Sequence, residues 1–317
     1  MRKIRGLIWF FFACSTPVWS QSAIPARIVV TTGHFFGQEA PVLTKDNLVV
    51  TQENKPVTIT NVVPLRGDRA ALELFVLVDN CSSCEVGQKE EELQRFIAAL
   101  PSTTSVGVAY IQDGKLQIGE NPTPDRQRVI KALSPPGGSK PATPYGALAD
   151  LINGWRQGSS RHAVLMITTG LDPAATGPQW SRSESAEAAI QAAQRAEVAV
   201  YVIYHPSADY ATTDYSKIYV GQLQMSHVAV ETGGEAYFLG FGPLPSIAPF
   251  LADINQHLEN QYLVEFLANP GNSPGELQDV EVQSKTPGLY LMVPFKIAIP
   301  GNGVKNGKPK VAPRSPK

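Results

Sequence analysis

The sequence has no apolar run long enough to cross a membrane as a helix. Leu7–Ala13 (LIWFFFA), the apolar stretch near the start, is far shorter than the roughly 20 residues that a membrane-spanning helix needs. Charged residues make up only 17% of the 317 residues, whereas hydrophobic residues make up 43%, which is enough to bury a sizeable core. We therefore predict one elaborated domain or two domains, with no transmembrane segment in the mature chain.

The body of the chain also lacks positive charge. Residues 1–20 hold three basic residues and residues 301–317 hold five, with no acidic residue in either segment. Residues 21–300 then carry 19 basic and 28 acidic residues, a net charge of −9. An acidic body argues against nucleic acid as a partner. The basic tail is rich in Gly, Pro and Lys without apolar periodicity, so we predict that it is disordered.

The usual catalytic motifs are missing. The chain contains no G-x-S-x-G, no P-loop G-x-x-x-x-G-K-[ST] and no H-E-x-x-H. The histidines have no metal-ligand spacing, and each is expected to be a surface or internally satisfied residue: His34, His162, His205, His227 and His257. These absences favour a protein that is not an enzyme.

The first 20 residues have the pattern of a secretory signal peptide. Arg2, Lys3 and Arg5 precede the short apolar core, and Val18-Trp19-Ser20 forms an acceptable cleavage site before Gln21. We therefore expect an exported protein, periplasmic or secreted. A lipid anchor at Cys14 is not favoured, because Phe11-Phe12-Ala13 is a poor lipobox.

One buried strand organises the rest of the chain. Leu74–Val78 is a short apolar run rich in β-branched and aromatic residues, and it ends at Asp79. A polar loop follows, and then residues 87–100 place apolar side chains on one helical face. The carboxyl ends of strands in open α/β sheets are where ligands bind, so Asp79 is a candidate site residue.

Strands and helices alternate from about residue 70 to residue 259. This alternation predicts an α/β fold with a doubly wound, mostly parallel sheet and helices on both faces. The flanking segments read as β and are predicted to form a small β-sandwich-like module. The predicted segments are a signal peptide 1–20, a β segment 24–66, the α/β domain 70–259, a β segment 260–300 pairing with 24–66, and the tail 301–317.

Three local patterns give more detailed expectations. Asn47–Gln52 and Val57–Val63 alternate on either side of a turn and predict a hairpin. Thr123-Pro124 predicts the start of a short helix, with a cap followed by proline at the first helical position. Leu289–Ile299 is expected to be one β segment.

The chain resembles the von Willebrand factor type A (vWA) family. Asp79-Asn80-Cys81-Ser82-Ser83 is similar to the family's metal motif D-x-S-x-S, and Thr143 matches its distant threonine. Thr168-Thr169-Gly170 matches the T-D-G turn after the fourth core strand. The flanking β segments are similar to those of secreted vWA-related proteins of the acidobacterial type. The resemblance covers most of the mature chain and implies a vWA-like, Rossmann-like fold.

The resemblance also implies a metal site. Family members hold Mg²⁺ or another divalent cation, which takes about six oxygen ligands, and leave one position for a partner's carboxylate. The matching residues here are Asp79, Ser83 and Thr143. Cys81 stands in place of a serine and Thr169 in place of the second acid, so the oxygen set is depleted. Asp172 lies near and is a candidate replacement for the lost carboxylate.

The same residues have structural interpretations. Asp79 would cap the following helix or hold the loop, and Ser83 and Thr143 would be helix caps. Thr168-Thr169 would only complete a strand end. Loss of the metal would still leave a face of loops at the carboxyl ends of the strands.

Cys81 and Cys84 are the two cysteines that remain after cleavage of the signal peptide. Outside the cytoplasm we expect them to form a disulfide that stiffens the loop after Asp79. The alternative is a thiol–disulfide oxidoreductase, because a C-x-x-C that opens a helix after a strand lowers a thiol pKa. Against it, Asn80 replaces the usual aromatic residue and the surrounding fold has the wrong size.

The function predicted from these observations is non-catalytic protein binding or scaffolding outside the cytoplasm. The expected contact face joins the loops Asp79–Cys84, Gly137–Thr143 and Thr169–Asp172. Besides the metal and cysteine residues, it includes Asn80, Ser82, Ser139, Thr169 and Asp172. A purely structural envelope protein that has lost its ligand site is the remaining alternative.

Overall fold

A six-stranded sheet with helices on both faces forms the centre of the fold. The computed structural model describes residues 23–33, 41–79, 89–133, 143–156, 158, 160–170, 183–206 and 215–300. Its strands are β1 (Ile24–Thr32), β2 (Leu48–Gln52), β3 (Lys55–Pro56), β4 (Thr58–Pro64), β5 (Leu72–Asp79), β6 (Thr104–Gln112), β7 (Lys115–Thr123), β8 (Arg161–Thr168), β9 (Val198–Tyr204), β10 (Ala236–Phe238), β11 (Gln261–Ala268), β12 (Glu276–Ser284), β13 (Leu291–Met292) and β14 (Lys296–Ile299). Its helices are α1 (Glu90–Ala99), α2 (Arg126–Lys131), α3 (Pro144–Gly154), α4 (Glu184–Ala196), α5 (Tyr215–Glu231) and α6 (Ala248–Glu259).

The strand order of the central sheet is that of a doubly wound fold. The order is β10-β9-β8-β5-β6-β7, and every neighbouring pair is parallel except β6 and β7. The chain moves outward from β5 to β7 and then returns to the other side of β5 with β8. The direction of winding therefore reverses between β5 and β8, which is the topological switch point of such a sheet. The predicted fold class is confirmed.

The central strands are buried because helices cover both faces of the sheet. In β5, Phe75 and Leu77 pack in a core formed with α3, α4 and α5. Leu74, Val76 and Val78 point to the other face and pack in a core formed with α1, α2 and α6. This alternation explains why β5 reads as a continuous apolar run in the sequence.

The starts of the helices follow local capping chemistry. The predicted start of α3 is confirmed, with Thr143 at the N-cap and Pro144 at the first helical position. The predicted start of α2 at Pro124 is wrong, because the helix begins at Arg126. The Asp125 carboxylate accepts hydrogen bonds from two backbone N–H groups of the first turn and is the actual N-cap, a stronger cap than Thr123. Thr123 is the last residue of β7.

Two four-stranded antiparallel sheets combine segments from before and after the α/β region. Their strand orders are β13-β1-β11-β4 and β14-β12-β2-β3. β1 pairs with β11 from Ile24 opposite Ala268 to Thr31 opposite Gln261. Inward side chains of both sheets, including Val30, Val50, Phe266 and Val282, share one core. The chain thus leaves this β module after β4 and returns to it with β11.

The structure corrects two predictions within the β module. The partner of β2 in its hairpin is the two-residue β3, and β4 lies in the other sheet, where it pairs with β11. The predicted single segment 289–299 consists of β13 and β14, which lie in different sheets on either side of Pro294. In both places the apolar alternation marks a buried face of the strand, but it carries no information about which sheet the strand joins.

Arg161 lies where the β module meets the α/β region. Its guanidinium donates hydrogen bonds to the backbone carbonyls of Ala70 (2.9 Å) and Leu258 (3.0 Å) and to the side chain of Gln261. Gln261 in turn donates to the hydroxyl of Thr31 at 2.9 Å. One guanidinium therefore connects the entry to β5, the end of α6 and the start of β11. Across the described ranges, no helix combines the length and the apolar character needed to span a bilayer.

Candidate functional site

Asp79 links the ends of the two strands that flank the switch point. It is the last residue of β5 and is only 2% exposed. Its Oδ2 accepts hydrogen bonds from the Thr168 hydroxyl at 3.0 Å and the Thr169 hydroxyl at 3.2 Å. The backbone N–H of Thr169 also points to this oxygen, at 3.5 Å. One buried carboxylate thus fixes the turn that follows β8 against the end of β5.

The environment of Asp79 favours the neutral form of its carboxyl group. Burial raises the pKa of Asp79 to about 6, although the hydrogen bonds from Thr168 and Thr169 act to lower it. Thr169, which takes the place of the second acid of the vWA motif, contributes a hydroxyl donor and no second negative charge. A cation placed near Asp79 would restore the charged form of the carboxylate.

Gly170 shapes the turn after β8. Its φ is +65°, and its backbone N–H donates to the Thr168 hydroxyl at 3.0 Å. A Cβ at this position would lie 2.3 Å from the ring of Tyr204, and a Cβ at Gly221 on α5 would lie 2.8 Å from the Gly170 carbonyl oxygen. The turn therefore packs directly on β9 and α5, which holds Thr168 and Thr169 in place.

Thr143 occupies the N-cap position of α3 without acting as a cap through its side chain. No capping hydrogen bond is made by its hydroxyl. The Oγ1 atom is buried, and it forms no hydrogen bond with any residue that the structure describes. The helix-cap interpretation of this side chain is therefore wrong. A buried hydroxyl without a hydrogen bond is costly, so Thr143 is suited to bind an additional ligand.

The described residues bring together part of the predicted site. Asp79 and Thr169 are in contact, and the interpretation that Asp79 holds a loop is realised through Thr168 and Thr169. The hydrogen-bonding role of Thr168 was not predicted, because a threonine at a strand end gives no sequence signal of its partner. The remaining site residues lie outside the described residues, and their roles stay predictions: Asn80, Cys81, Ser82, Ser83, Cys84, Ser139 and Asp172.

A second polar cluster was missed in the sequence. Glu235, Asp253 and His257 lie together near the amino end of β10, away from Asp79. The expectation that no histidine has ligand-like neighbours therefore does not hold for His257. The separation of Asp253 and His257 by four residues on α6 was an available signal. Glu235 is joined to them only by the fold.

Comparisons with known proteins give structural neighbours but no sequence relatives. No family model matches the chain, and no curated protein matches it. Among solved structures, a von Willebrand factor type A protein from Catenulispora acidiphila is 10% identical, with 89% of this chain and 74% of that chain covered and a TM-score of 0.44. The vWF domain of the type V pili tip protein Mfa5 from Porphyromonas gingivalis is also 10% identical, covering 62% of this chain and 95% of that one, with a TM-score of 0.45.

A third neighbour, the ArnB paralog VWA2 from Sulfolobus acidocaldarius, is 7% identical, with 88% and 76% of the two chains covered and a TM-score of 0.41. The chain is similar to solved vWA structures. Identities this low concern the fold alone, and TM-scores below 0.5 add no argument to it. The vWA-like fold of this chain rests on its own strand order, and the function rests on the site.

Proposed function

We propose that this chain is an exported, non-catalytic binding protein whose contact face is the carboxyl edge of the parallel sheet. The observation that carries the proposal is the position of Asp79. Its buried carboxylate lies at the end of β5, beside the end of β8, where the winding of the sheet reverses. Crevices at such switch points are where open α/β sheets bind ligands.

Two polar groups at this edge support a ligand. The first is the Asp79 carboxylate, which is buried together with the hydroxyl donors Thr168 and Thr169. The second is the buried hydroxyl of Thr143, for which the described part of the chain supplies no acceptor or donor. Packing alone would favour apolar groups at these positions, because buried polar atoms without full hydrogen bonding cost free energy. A bound cation or a polar partner would satisfy both groups.

The two groups fit a hard divalent cation. A carboxylate and a hydroxyl are the oxygen ligands that Mg²⁺ prefers, and Asp79 and Thr143 would hold it together with Ser83. Asp172 is proposed as the further acid, since Thr169 donates its hydrogen to Asp79 and adds no charge. A bound cation would supply an open coordination position for a carboxylate of the partner protein. The partner proposed here is therefore a protein with an accessible Asp or Glu.

Isothermal titration calorimetry of residues 21–317 with Mg²⁺ and with Mn²⁺ tests the cation. It should be run on oxidised and on reduced protein, because Cys81 and Cys84 lie within the proposed face. We expect binding in wild type and none in Asp79→Asn, whose amide keeps the acceptor for Thr168 and Thr169. Glu281→Gln, an exposed change on β12, is the matched control. Equal binding by wild type and Asp79→Asn would refute the cation site.

Capture of partners tests the face itself. Immobilised wild-type protein and the double variant Asp79→Asn/Thr143→Val are compared for the proteins that they retain from an envelope extract with Mg²⁺ present. We expect the double variant to lose partners that wild type and Glu281→Gln both retain. The proposal fails if a double variant with native circular dichroism retains the same partners as wild type.

Export is proposed from the sequence of residues 1–20. The experiment is expression of the full chain in a bacterial host, followed by fractionation and mass measurement of the product. We expect an extracytoplasmic product that begins at Gln21. An uncleaved product confined to the cytoplasm would remove this part of the proposal.

A further inference from the structure

Three side chains of metal-ligand type lie together at the amino edge of the central sheet. One ligand atom each of Glu235, Asp253 and His257 can be chosen so that all three lie within 4.8 Å of one another. Glu235 immediately precedes β10, and the other two residues lie one helical turn apart on α6. This cluster is independent of the carboxyl-edge face, and no step below rests on the proposed function.

The imidazole of His257 lies between the two carboxylates. Its Nδ1 is 3.6 Å from Glu235 Oε2, and its Nε2 is 4.0 Å from Asp253 Oδ1. The His257 side chain is 5% exposed, whereas those of Glu235 and Asp253 are 43% and 40% exposed. The nitrogen ligand is therefore fixed in the interior, and the two oxygen ligands reach it from the solvent side. An ion has direct access to the cluster.

Two neighbouring side chains hold the cluster in position. The Tyr237 hydroxyl lies 2.8 Å from Asp253 Oδ2 and 3.4 Å from Glu235 Oε2, so one phenol serves both carboxylates. The ring of Tyr201 stacks on the imidazole, with ring centres 6.3 Å apart and planes 20° from parallel. Hydrogen bonds to carboxylates and contacts to imidazoles from outside a site are what orient the ligands of metal centres.

The charge at the cluster favours a cation. Two carboxylates share one phenol, and no Lys or Arg of the described segments lies within 4.0 Å of either of them. Burial and the charge of Asp253 raise the pKa of Glu235, although its hydrogen bond with Tyr237 acts in the opposite direction. The cluster therefore carries uncompensated negative charge next to an imidazole.

We propose that Glu235, Asp253 and His257 bind one divalent cation of the Zn²⁺ type. An imidazole nitrogen with two carboxylate oxygens matches zinc and the similar transition metals, whereas Mg²⁺ and Ca²⁺ prefer oxygen-only sites. Ligand atoms about 2.0–2.2 Å from a tetrahedral zinc are separated by roughly 3.3 Å, so the side chains close in by about an ångström. Three protein ligands leave the fourth position for water or an added ligand. The ion joins β10 to α6.

Calorimetry and thermal unfolding of residues 21–317 with ZnCl₂ test this site. The protein is first freed of metal with chelator and kept oxidised, and a Cys81→Ser/Cys84→Ser variant removes thiolate binding. We expect one Zn²⁺ per chain, a rise in Tm with zinc, and no comparable rise with MgCl₂. We expect His257→Gln and Asp253→Asn each to weaken zinc binding at least about 100-fold and Tyr237→Phe to weaken it about 10-fold.

His227→Gln is the matched control. His227 also lies between two carboxylates, with Nε2 3.1 Å from Glu187 and Nδ1 3.7 Å from Glu231, and it too has an acid four residues away on its helix. We expect it to leave zinc binding unchanged. Loss of binding in His227→Gln with retention in His257→Gln overturns the assignment, as does the absence of stoichiometric zinc binding in wild type. Should His257→Gln fail to fold, Glu235→Gln, a half-exposed isosteric change, gives the same comparison.

Discussion

At the scale of single residues, Gly170 is the most constrained position of the candidate site. Its positive φ is unfavourable for residues with a side chain, and a Cβ would overlap the ring of Tyr204. We expect Gly170→Ala to lower the free energy of unfolding by about 2–4 kcal/mol, from left-handed backbone strain and overpacking together. Urea unfolding followed by circular dichroism measures the change.

Gly146→Ala is the control for this substitution. Gly146 lies within α3, and its added Cβ would meet no described atom within 4 Å. Alanine in a helix interior is favoured over glycine by about 1 kcal/mol, so the control should be neutral or stabilising. Equal destabilisation by both substitutions would show that the turn after β8 is not the constrained element described here.

Thr143→Val separates a ligand role of Thr143 from a structural one. Valine has the shape of threonine and removes the buried hydroxyl, which makes no capping bond. We expect the metal-free protein to be unchanged or about 1 kcal/mol more stable, because an unsatisfied polar group has been removed. We also expect any rise of Tm with Mg²⁺ to disappear. Marked destabilisation without metal would instead indicate that the hydroxyl has a structural partner in the protein.

At the scale of elements, one carboxylate joins two helices that are distant in sequence. Glu92 on α1 accepts hydrogen bonds through Oε2 from the Ser246 hydroxyl (2.9 Å) and the backbone N–H groups of Ile247 (2.7 Å) and Ala248 (2.8 Å). These N–H groups belong to the amino terminus of α6, which has no intrahelical acceptors for them. Glu92 therefore caps α6 from another helix, where the helix dipole favours negative charge.

This cap predicts a dependence of stability on pH. Burial acts to raise the pKa of Glu92, but the hydrogen bonds from Ser246, Ala248 and Ile247 and the charge of Lys89 outweigh it, so the pKa lies below its ordinary value. A lowered folded-state pKa means that the stabilisation is present above the pKa of the unfolded chain. It is lost as the pH falls through the folded-state pKa.

We expect Glu92→Gln to lower the free energy of unfolding by about 1–2 kcal/mol at neutral pH, with the difference from wild type shrinking in acid. Thermal unfolding across the acidic and neutral range measures it. Glu91→Gln is the control, because Glu91 is the exposed neighbour on the same helical turn. A difference between Glu92→Gln and wild type that stays constant with pH would contradict the charged cap.

These elements also show how far sequence reasoning extends. The strands and helices of the α/β region were predictable because their apolar periods are long and because β5 ends sharply at Asp79. The cap by Glu92 was not, since it joins residues about 150 positions apart and leaves no periodic signal. The path of β4 into the other sheet was missed for a similar reason, because alternation defines a face and not a partner. Asp79 was identified from its place in the chain, whereas its hydrogen bonds to Thr168 and Thr169 follow only from strand order.

At the scale of the whole molecule, the chain builds its β module from both of its ends. β1 and β4 both pair with β11, and β2 pairs with β12, so neither flanking segment completes a sheet alone. The α/β region is built differently, because the two cores on either side of its sheet contain only residues between Leu72 and Leu258. Contacts between the two parts are few and polar at Arg161, and Phe295 donates its N–H to the carbonyl of Glu231 at 3.1 Å. The two parts therefore differ in what each needs to fold.

This difference predicts the outcome of truncation. We expect residues 70–260 to fold alone, because both cores and the Arg161 bonds to Ala70 and Leu258 are retained. Far-ultraviolet circular dichroism and a cooperative thermal transition are the readouts, with a Tm below that of the full chain because the cover of β1 and β11 is lost. Residues 70–240 form the control, since they lack α6 and with it Ile247, Leu251, Ile254 and Leu258 of one core. Removal of four buried aliphatic side chains costs several kcal/mol, which is comparable to the total stability of a domain, so this shorter fragment should be unfolded. If residues 70–260 also fail to fold while a mixture with the β segments restores a cooperative transition, the α/β region depends on the β module and the two form one folding unit.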